Sequence, residues 1–288
     1  MKNIGIIGLG LIGGSLAKCF RARINHVKIV AVNRSEQSLI DAKAEGVIDD
    51  YSLNDMSIFS DCDIVFVCTS VDKIPHYAEK LLPYIKKDCI ITDVGSTKKV
   101  IYNEMLKFKD INFIGGHPMA GSEKTGYKSA KEHLFENAFY LLTPNENISD
   151  KMLEDMTYLA KLTGAVPLIL NPDCHDYTVA AVSHAPHIIA SALVNTVKEL
   201  DDENKYMHAL AAGGFKDITR IASSSPEVWS SICNDNREKI LEVLSVFRKN
   251  IEKIEAELKH KDSLYSFFDE AKDYRDTFAS RTSHAIYS

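Results

Sequence analysis

The chain has 288 residues, of which 45% are hydrophobic and 26% charged, with a formal net charge of −6. That length exceeds one ordinary core and predicts two domains. The acidic balance and the lack of a basic stripe speak against nucleic acid as a partner, whereas a small anionic substrate needs only one placed arginine.

Six scattered cysteines, Cys19, Cys62, Cys68, Cys89, Cys174 and Cys233, form no C-x-x-C pair. They predict reduced thiols, most of them small buried residues, in a cytoplasmic protein. The start, Met1-Lys2-Asn3 with a short apolar run, resembles neither a signal peptide nor an anchor.

In chain order, short β-rich runs alternate with amphipathic segments, the pattern of a doubly wound parallel sheet. Strands are expected at 4–7, 27–32, 64–67, 89–92, 113–115, 139–143 and 166–169. Helices fill the gaps at 12–23, 35–45, 74–85 and 97–107, and another begins at the cap-like Ser149-Asp150. After Asn171-Pro172 the strand signal stops. Helices are expected over 173–199, 205–212, 226–258 with a break near Asn234, and 261–278. The apolar stretch 179–197 is broken by His184, Pro186, His187 and Asn195, which predicts a buried core helix and no membrane span. The fold class is therefore α/β: an N-terminal Rossmann-type doubly wound sheet at 1–170 and an all-helical C-terminal domain at 171–288. Long apolar stripes in the helical part predict dimerisation, a homodimer through that domain.

Gly8-Leu9-Gly10-Leu11-Ile12-Gly13 follows an expected strand and opens an expected helix. This is the dinucleotide fingerprint in its required context: a tight turn, a close backbone approach to pyrophosphate, and close helix–strand packing. Where an acid would grip the adenosine ribose, the chain has Asn33, followed by Arg34. Arg34 could pair with a 2′-phosphate or stack on adenine, so both NAD and NADP stay open. The segments Cys68-Thr69-Ser70, Asp93 to Lys98 and Gly115 to Glu123 read as three successive βα loops lining one crevice at the carboxyl ends of strands.

The D-x-G-S-x-K run at Asp93 to Lys98 and the G-G-H-P-M-A-G-S-E run at Gly115 to Glu123 resemble the signatures of the prephenate/arogenate dehydrogenase family. Ser183-His184-Ala185-Pro186-His187 and Gly213-Gly214-Phe215-Lys216-Asp217-Ile218-Thr219-Arg220 extend that likeness to the C-terminal half. Asn33 departs from the acid common in NAD-specific members, and no chorismate mutase or regulatory extension is recognised.

The resemblance implies a nicotinamide-dependent oxidative decarboxylation of prephenate, or of arogenate, in tyrosine biosynthesis. It makes His117 the general base, with Ser96 bonding the substrate hydroxyl or positioning His117. Arg220 would hold a substrate carboxylate, gated or oriented by Glu123 and Asp217. His187 and His175 are candidates for the substrate side-chain end, and Ser122 and Gly213 join the substrate set through their motifs. Thr69 and Ser70 join Ser96 and the glycine turn on the cofactor side. His175, His184 and His187 could share a metal, but no nearby acid completes a catalytic set, so none is expected. Trp229, the lone tryptophan, reads as a core residue unless it lies by the site. The rival readings are a β-hydroxyacid-type dehydrogenase, which would want a lysine in the helical half, and a dinucleotide sensor without turnover.

Overall fold

A computed structural model describes residues 1–109, 111–122, 124–260 and 263–278. Eight strands form one sheet: β1 (Asn3–Ile7), β2 (Lys28–Val32), β3 (Asp50–Ser52), β4 (Ile64–Val67), β5 (Ile90–Asp93), β6 (Asn112–Pro118), β7 (Phe139–Pro144) and β8 (Val166–Ile169). Their order is β3-β2-β1-β4-β5-β6-β7-β8. All neighbours run parallel except β6 and β7, which are antiparallel.

The nearly continuous apolar runs of β1, β2 and β4 are what a sheet covered on both faces demands. Ile4, Ile6, Ile29 and Phe66 pack on one face with Leu16 and Phe20 of α1 (Leu11–Arg23). Ile7, Val30, Val65 and Val67 pack on the other. Helices α2 (Glu36–Ala44), α3 (Ile74–Leu81), α4 (Lys99–Met105) and α5 (Asp150–Leu162) complete this unit. Helix α3 stops earlier than its periodicity predicts: Leu82 still has helical backbone, but Pro83 has no N–H with which to continue the ladder. Helix α5 is capped by the Ser149 side chain, which accepts from the Met152 amide.

Two strand expectations are corrected. β3 is an edge strand of three half-exposed residues, too short and polar to show a strand pattern. β6 runs on to Pro118, so His117 lies within a strand opposite Leu141 and not on a loop. Gly115 and Gly116 are glycines for packing reasons: a Cβ at Gly115 would lie 2.2 Å from Thr143 Oγ1, and one at Gly116 would lie 2.5 Å from the Asp93 carbonyl.

Beyond β8 the described chain is helical: α6 (Pro172–Val179), α7 (Ala185–Leu200), α8 (Tyr206–Leu210), α9 (Gly213–Thr219), α10 (Pro226–Asp235), α11 (Arg237–Lys259) and α12 (Tyr265–Asp276). A π-turn at Ala180–His184 joins α6 to α7 in one continuous helix. By length and composition Pro172–Leu200 would suffice to cross a membrane, and 33% of its apolar window is buried within this chain. The expectation of a buried core helix is thus corrected: one face packs inward, while Val182 and Leu200 stand exposed. The expected break near Asn234 falls at Asn236, and α9 begins at the paired glycines Gly213 and Gly214, where no helix is predicted. All six cysteines are free, but only Cys19, Cys62 and Cys89 are buried, fewer than expected.

Gly8 adopts φ +94°, and a Cβ there would lie 2.3 Å from the Cys68 carbonyl oxygen. Gly8→Ala should therefore lose about 2 kcal/mol or more of stability. Gly10→Ala, whose Cβ would meet nothing within 4 Å, should stay within about 0.5 kcal/mol of the parent. Urea unfolding of both variants checks the contrast, and equal losses would refute it.

Candidate active site

The turn from β1 into α1 carries the glycine fingerprint. A Cβ on Gly13 would strike the Gly8 carbonyl oxygen at 2.1 Å, so Gly8 and Gly13 are both required by the protein's own packing. Gly10 is different. Space beside it is open, and it faces a cleft of about 640 Å³ that runs past Asn33, Arg34, Thr69 and Ser70. A glycine unexplained by internal contacts, at the N-terminus of a long helix, fits the approach of a dinucleotide pyrophosphate.

A second cleft of about 350 Å³ shares Gly10, Thr69 and Ser70 with the first and continues past Leu11, Ile12 and Ser96 to Val228 and Ile232 of α10. The crevice thus begins at the β2 end and finishes between the sheet's carboxyl edge and the helical part. Two of the three anticipated loops line it directly; none of the described residues of the third, 115–122, does, and the lining there comes from Lys124 to Gly126, just past its expected end.

His117 is 7% exposed at the end of β6, and its Nδ1 lies 2.9 Å from His175 Nε2. His175 Nδ1 lies 2.7 Å from Asp176 Oδ1. A carboxylate only accepts, so His175 carries its proton on Nδ1 and presents a lone pair at Nε2. His117 then donates from Nδ1, which leaves its own Nε2 unprotonated. Burial, and after it the neighbouring His175, Lys98 and His184, hold the His117 pKa well below its ordinary value. His117 is therefore a neutral imidazole with a defined basic nitrogen.

Asp176 anchors this chain of rings. Its carboxylate accepts from the Lys98 amide at 2.8 Å and the Lys99 amide at 3.0 Å, at the start of α4, which therefore begins two residues later than its pattern predicts. Burial opposes the Asp176 charge, but the bonds from His175 and these amides outweigh it and hold the carboxyl below its usual range. Asn236 donates to the Asp176 carbonyl at 2.7 Å and lies 3.1 Å from His184 Nδ1.

Beside it, Asp93 is fully buried; it accepts from the Gly116 amide at 3.1 Å and the Gly95 amide at 2.8 Å, and pairs with the buried Lys98 ammonium. None of Asp176, Asn236, Asp93 and Lys98 was singled out by sequence reasoning. For Asp176 the available signal was its place directly after His175, and for Asp93 and Lys98 their place in the D-x-G-S-x-K run.

His187 stacks on Trp229 with ring centroids 3.4 Å apart and planes 12° apart, and His184 meets the same indole edge-on. Trp229 is thus a half-buried partner of the site histidines and not a core residue. Arg220, Asp217 and Gly213 lie on exposed stretches of α9 and the turn after it, and the neighbouring Ile218 is 62% exposed. Ser122 is exposed and accepts from the Lys124 amide. Glu123 falls outside the described residues. Among the described residues no group of three His, Cys, Asp or Glu side chains is placed to hold a metal.

A glycine-lined crevice along the carboxyl ends of the strands, with a neutral buried imidazole at the carboxyl end of the neighbouring β6, defines a nicotinamide-dinucleotide-dependent oxidoreductase. Residues 16–169 match the family model for the prephenate dehydrogenase nucleotide-binding domain, and residues 171–270 that for the prephenate dehydrogenase dimerization domain. The chain belongs to the prephenate dehydrogenase family.

It is 38% identical to prephenate dehydrogenase of Bacillus subtilis over 99% of this chain and 79% of the relative. It is 36% identical to that of Lactococcus lactis over 96% of this chain and 77% of the relative. Its fold matches the crystal structure of Aquifex aeolicus prephenate dehydrogenase in complex with hydroxyphenyl propionate and NAD+, with a TM-score of 0.90, 31% identity, and 97% and 99% of the two chains covered.

The burial that keeps these histidines neutral has a cost in acid. His184 is pushed down to about 4 from 6.5, chiefly by burial. The unfolded chain protonates below 6.5 while the folded one resists, so stability falls as pH drops from 6.5 to about 4, by about 3 kcal/mol for this residue. His184→Gln should flatten the pH dependence of thermal unfolding across that window. Parallel slopes for parent and variant would contradict the assignment.

Proposed function

We propose that this chain oxidatively decarboxylates prephenate to 4-hydroxyphenylpyruvate, with the crevice holding NAD or NADP and His117 acting as the base. The observation that carries this reading is the His117–His175–Asp176 chain, which leaves His117 with one unprotonated nitrogen at the carboxyl end of β6, beside β5, whose following loop lines the cofactor crevice.

The cofactor, when bound, takes the hydride that leaves ring C4. His117 Nε2 accepts the C4 hydroxyl proton as that carbon becomes a carbonyl. The positive charge formed on His117 is stabilised by the Asp176 carboxylate through His175. Carbon dioxide then leaves C1, its bonding electrons pass through the ring to the oxygen, and His117 returns the proton to the phenolate. Ser96, which lines the inner cleft, is placed to bond the substrate hydroxyl. His187, held flat by Trp229, is proposed to meet the side-chain end together with Ser122 and Gly213; His175, expected there too, is instead fully buried with both ring nitrogens engaged by His117 and Asp176, so it orients the base and does not touch substrate. Arg220 is proposed to hold a carboxylate, with Glu123 and Asp217 orienting it.

We also propose a homodimer through the helical part. Leu210, Ile218, Leu241 and Val246 are each more than half exposed in the single chain, more apolar surface than a lone helical unit ordinarily leaves in water. Sedimentation that shows only monomer at micromolar concentration would sink this.

The primary test follows absorbance at about 340 nm with prephenate or arogenate and either cofactor. Reduction with prephenate is expected, and silence with every pair, from folded protein that binds dinucleotide, would overturn the reading. His117→Asn should lower kcat by about 10²–10⁴-fold. Because the His117 pKa is lowered, the acid limb of kcat/KM should lie below pH 6.5, and a limb at or above that value would count against His117.

A further inference from the structure

The proposed function leaves the adenosine end of the crevice unassigned between two cofactors. The acid that commonly grips the ribose hydroxyls of NAD is absent at the end of β2. Its replacement, Asn33, is already committed: Oδ1 accepts from the Leu9 amide at 3.1 Å, and Nδ2 donates to the Ser35 carbonyl at 3.0 Å. Both ends of the amide thus help hold the fingerprint turn against the β2 loop, and a neutral amide offers a ribose diol no charged acceptor and a 2′-phosphate no like charge.

What faces the cleft instead is positive charge. Arg34, directly after Asn33, lines it together with Lys73 and Lys80. Lys73, Tyr77 and Lys80 fall at i, i+4 and i+7, the spacing that puts three side chains on one helix face. Among the described residues no aspartate or glutamate lines this cleft, and none of the three cations is in an ion pair. Glu36 and Asp72 flank Arg34 and Lys73 in sequence but are not part of the lining. Three exposed cations converging without a counter-charge repel one another. A bound anion relieves that repulsion.

We infer that the β2 end of the cleft selects NADP over NAD, with the Arg34 guanidinium as the fork for the 2′-phosphate and Lys73 and Lys80 supplying the surrounding positive field. A planar guanidinium matches a phosphate bidentately, while an ammonium acts on it as a point charge. This inference rests on the reading of the chain as a dinucleotide-dependent dehydrogenase.

Isothermal titration of the full chain with NADP+ and with NAD+ tests it without reliance on turnover. NADP+ is expected to bind about tenfold or more tightly than NAD+, the size of one charge-assisted contact. Its affinity should also fall more steeply with added salt. The fragments should follow suit, 2′,5′-ADP binding better than ADP. Arg34→Ala, at an exposed position, should remove most of the preference while shifting NAD+ affinity by less than about threefold. NAD+ binding as tightly as NADP+ or better would overturn the inference and leave the dehydrogenase reading intact. No binding of either dinucleotide would overturn both.

Discussion

A single carboxylate, buried between the sheet and the first long helix beyond it, ties the site together. Asp176 comes from α6, yet two of its three hydrogen-bond donors are the amides at the start of α4, on the sheet side. A helix N-terminus carries partial positive charge and unsatisfied N–H groups, so an anion placed there is stabilised by both. The third donor is His175, and through it the same carboxylate fixes which nitrogen of His117 is bare. Loss of that charge would leave buried donors unmade on one side and an undetermined tautomer on the other.

Around this anchor the site's histidines are buried and neutral. His117, His175, His184 and His187 all have pKa values lowered first of all by burial. The buried Lys98 cation adds to that pressure on His117 and is itself matched by Asp93. The ion pair thus provides a fixed charge distribution without a net charge, and the burial that costs stability in acid is the same one that keeps His117 unprotonated and able to act as a base.

Local chemistry was legible in the sequence, and long-range chemistry was not. The glycine turn, the Ser149 cap and the apolar strands are set by neighbours within a few residues, so their pattern survives in one dimension. The Gly115-Gly116 pair misled because glycine signals a turn as readily as a close approach, and only the Thr143 and Asp93 atoms across the sheet tell the two apart. Asp176 was passed over because its amide partners lie 77 and 78 residues away. The helix at Gly213 ran against propensity, which marks glycine as a poor helix former. Trp229 gave no hint of its stacking on His187, 42 positions earlier in the chain, because a lone aromatic on a helix looks the same whether it meets a core or a ring.

The π-turn between α6 and α7 has a consequence for how this family of helices tolerates change. A π-turn holds one residue more than an α-turn, and one residue is worth about 100° of rotation about the axis. Here the extra residue falls between His175 and Asp176 on one side and His187 on the other. It sets the rotational phase between the half of the rod that carries His175 and Asp176 and the half that carries His187. A single-residue deletion within Ala180–His184 would restore an unbroken α-helix and turn the two halves out of step, so the length of this segment is constrained even at positions whose side chains touch nothing in the site.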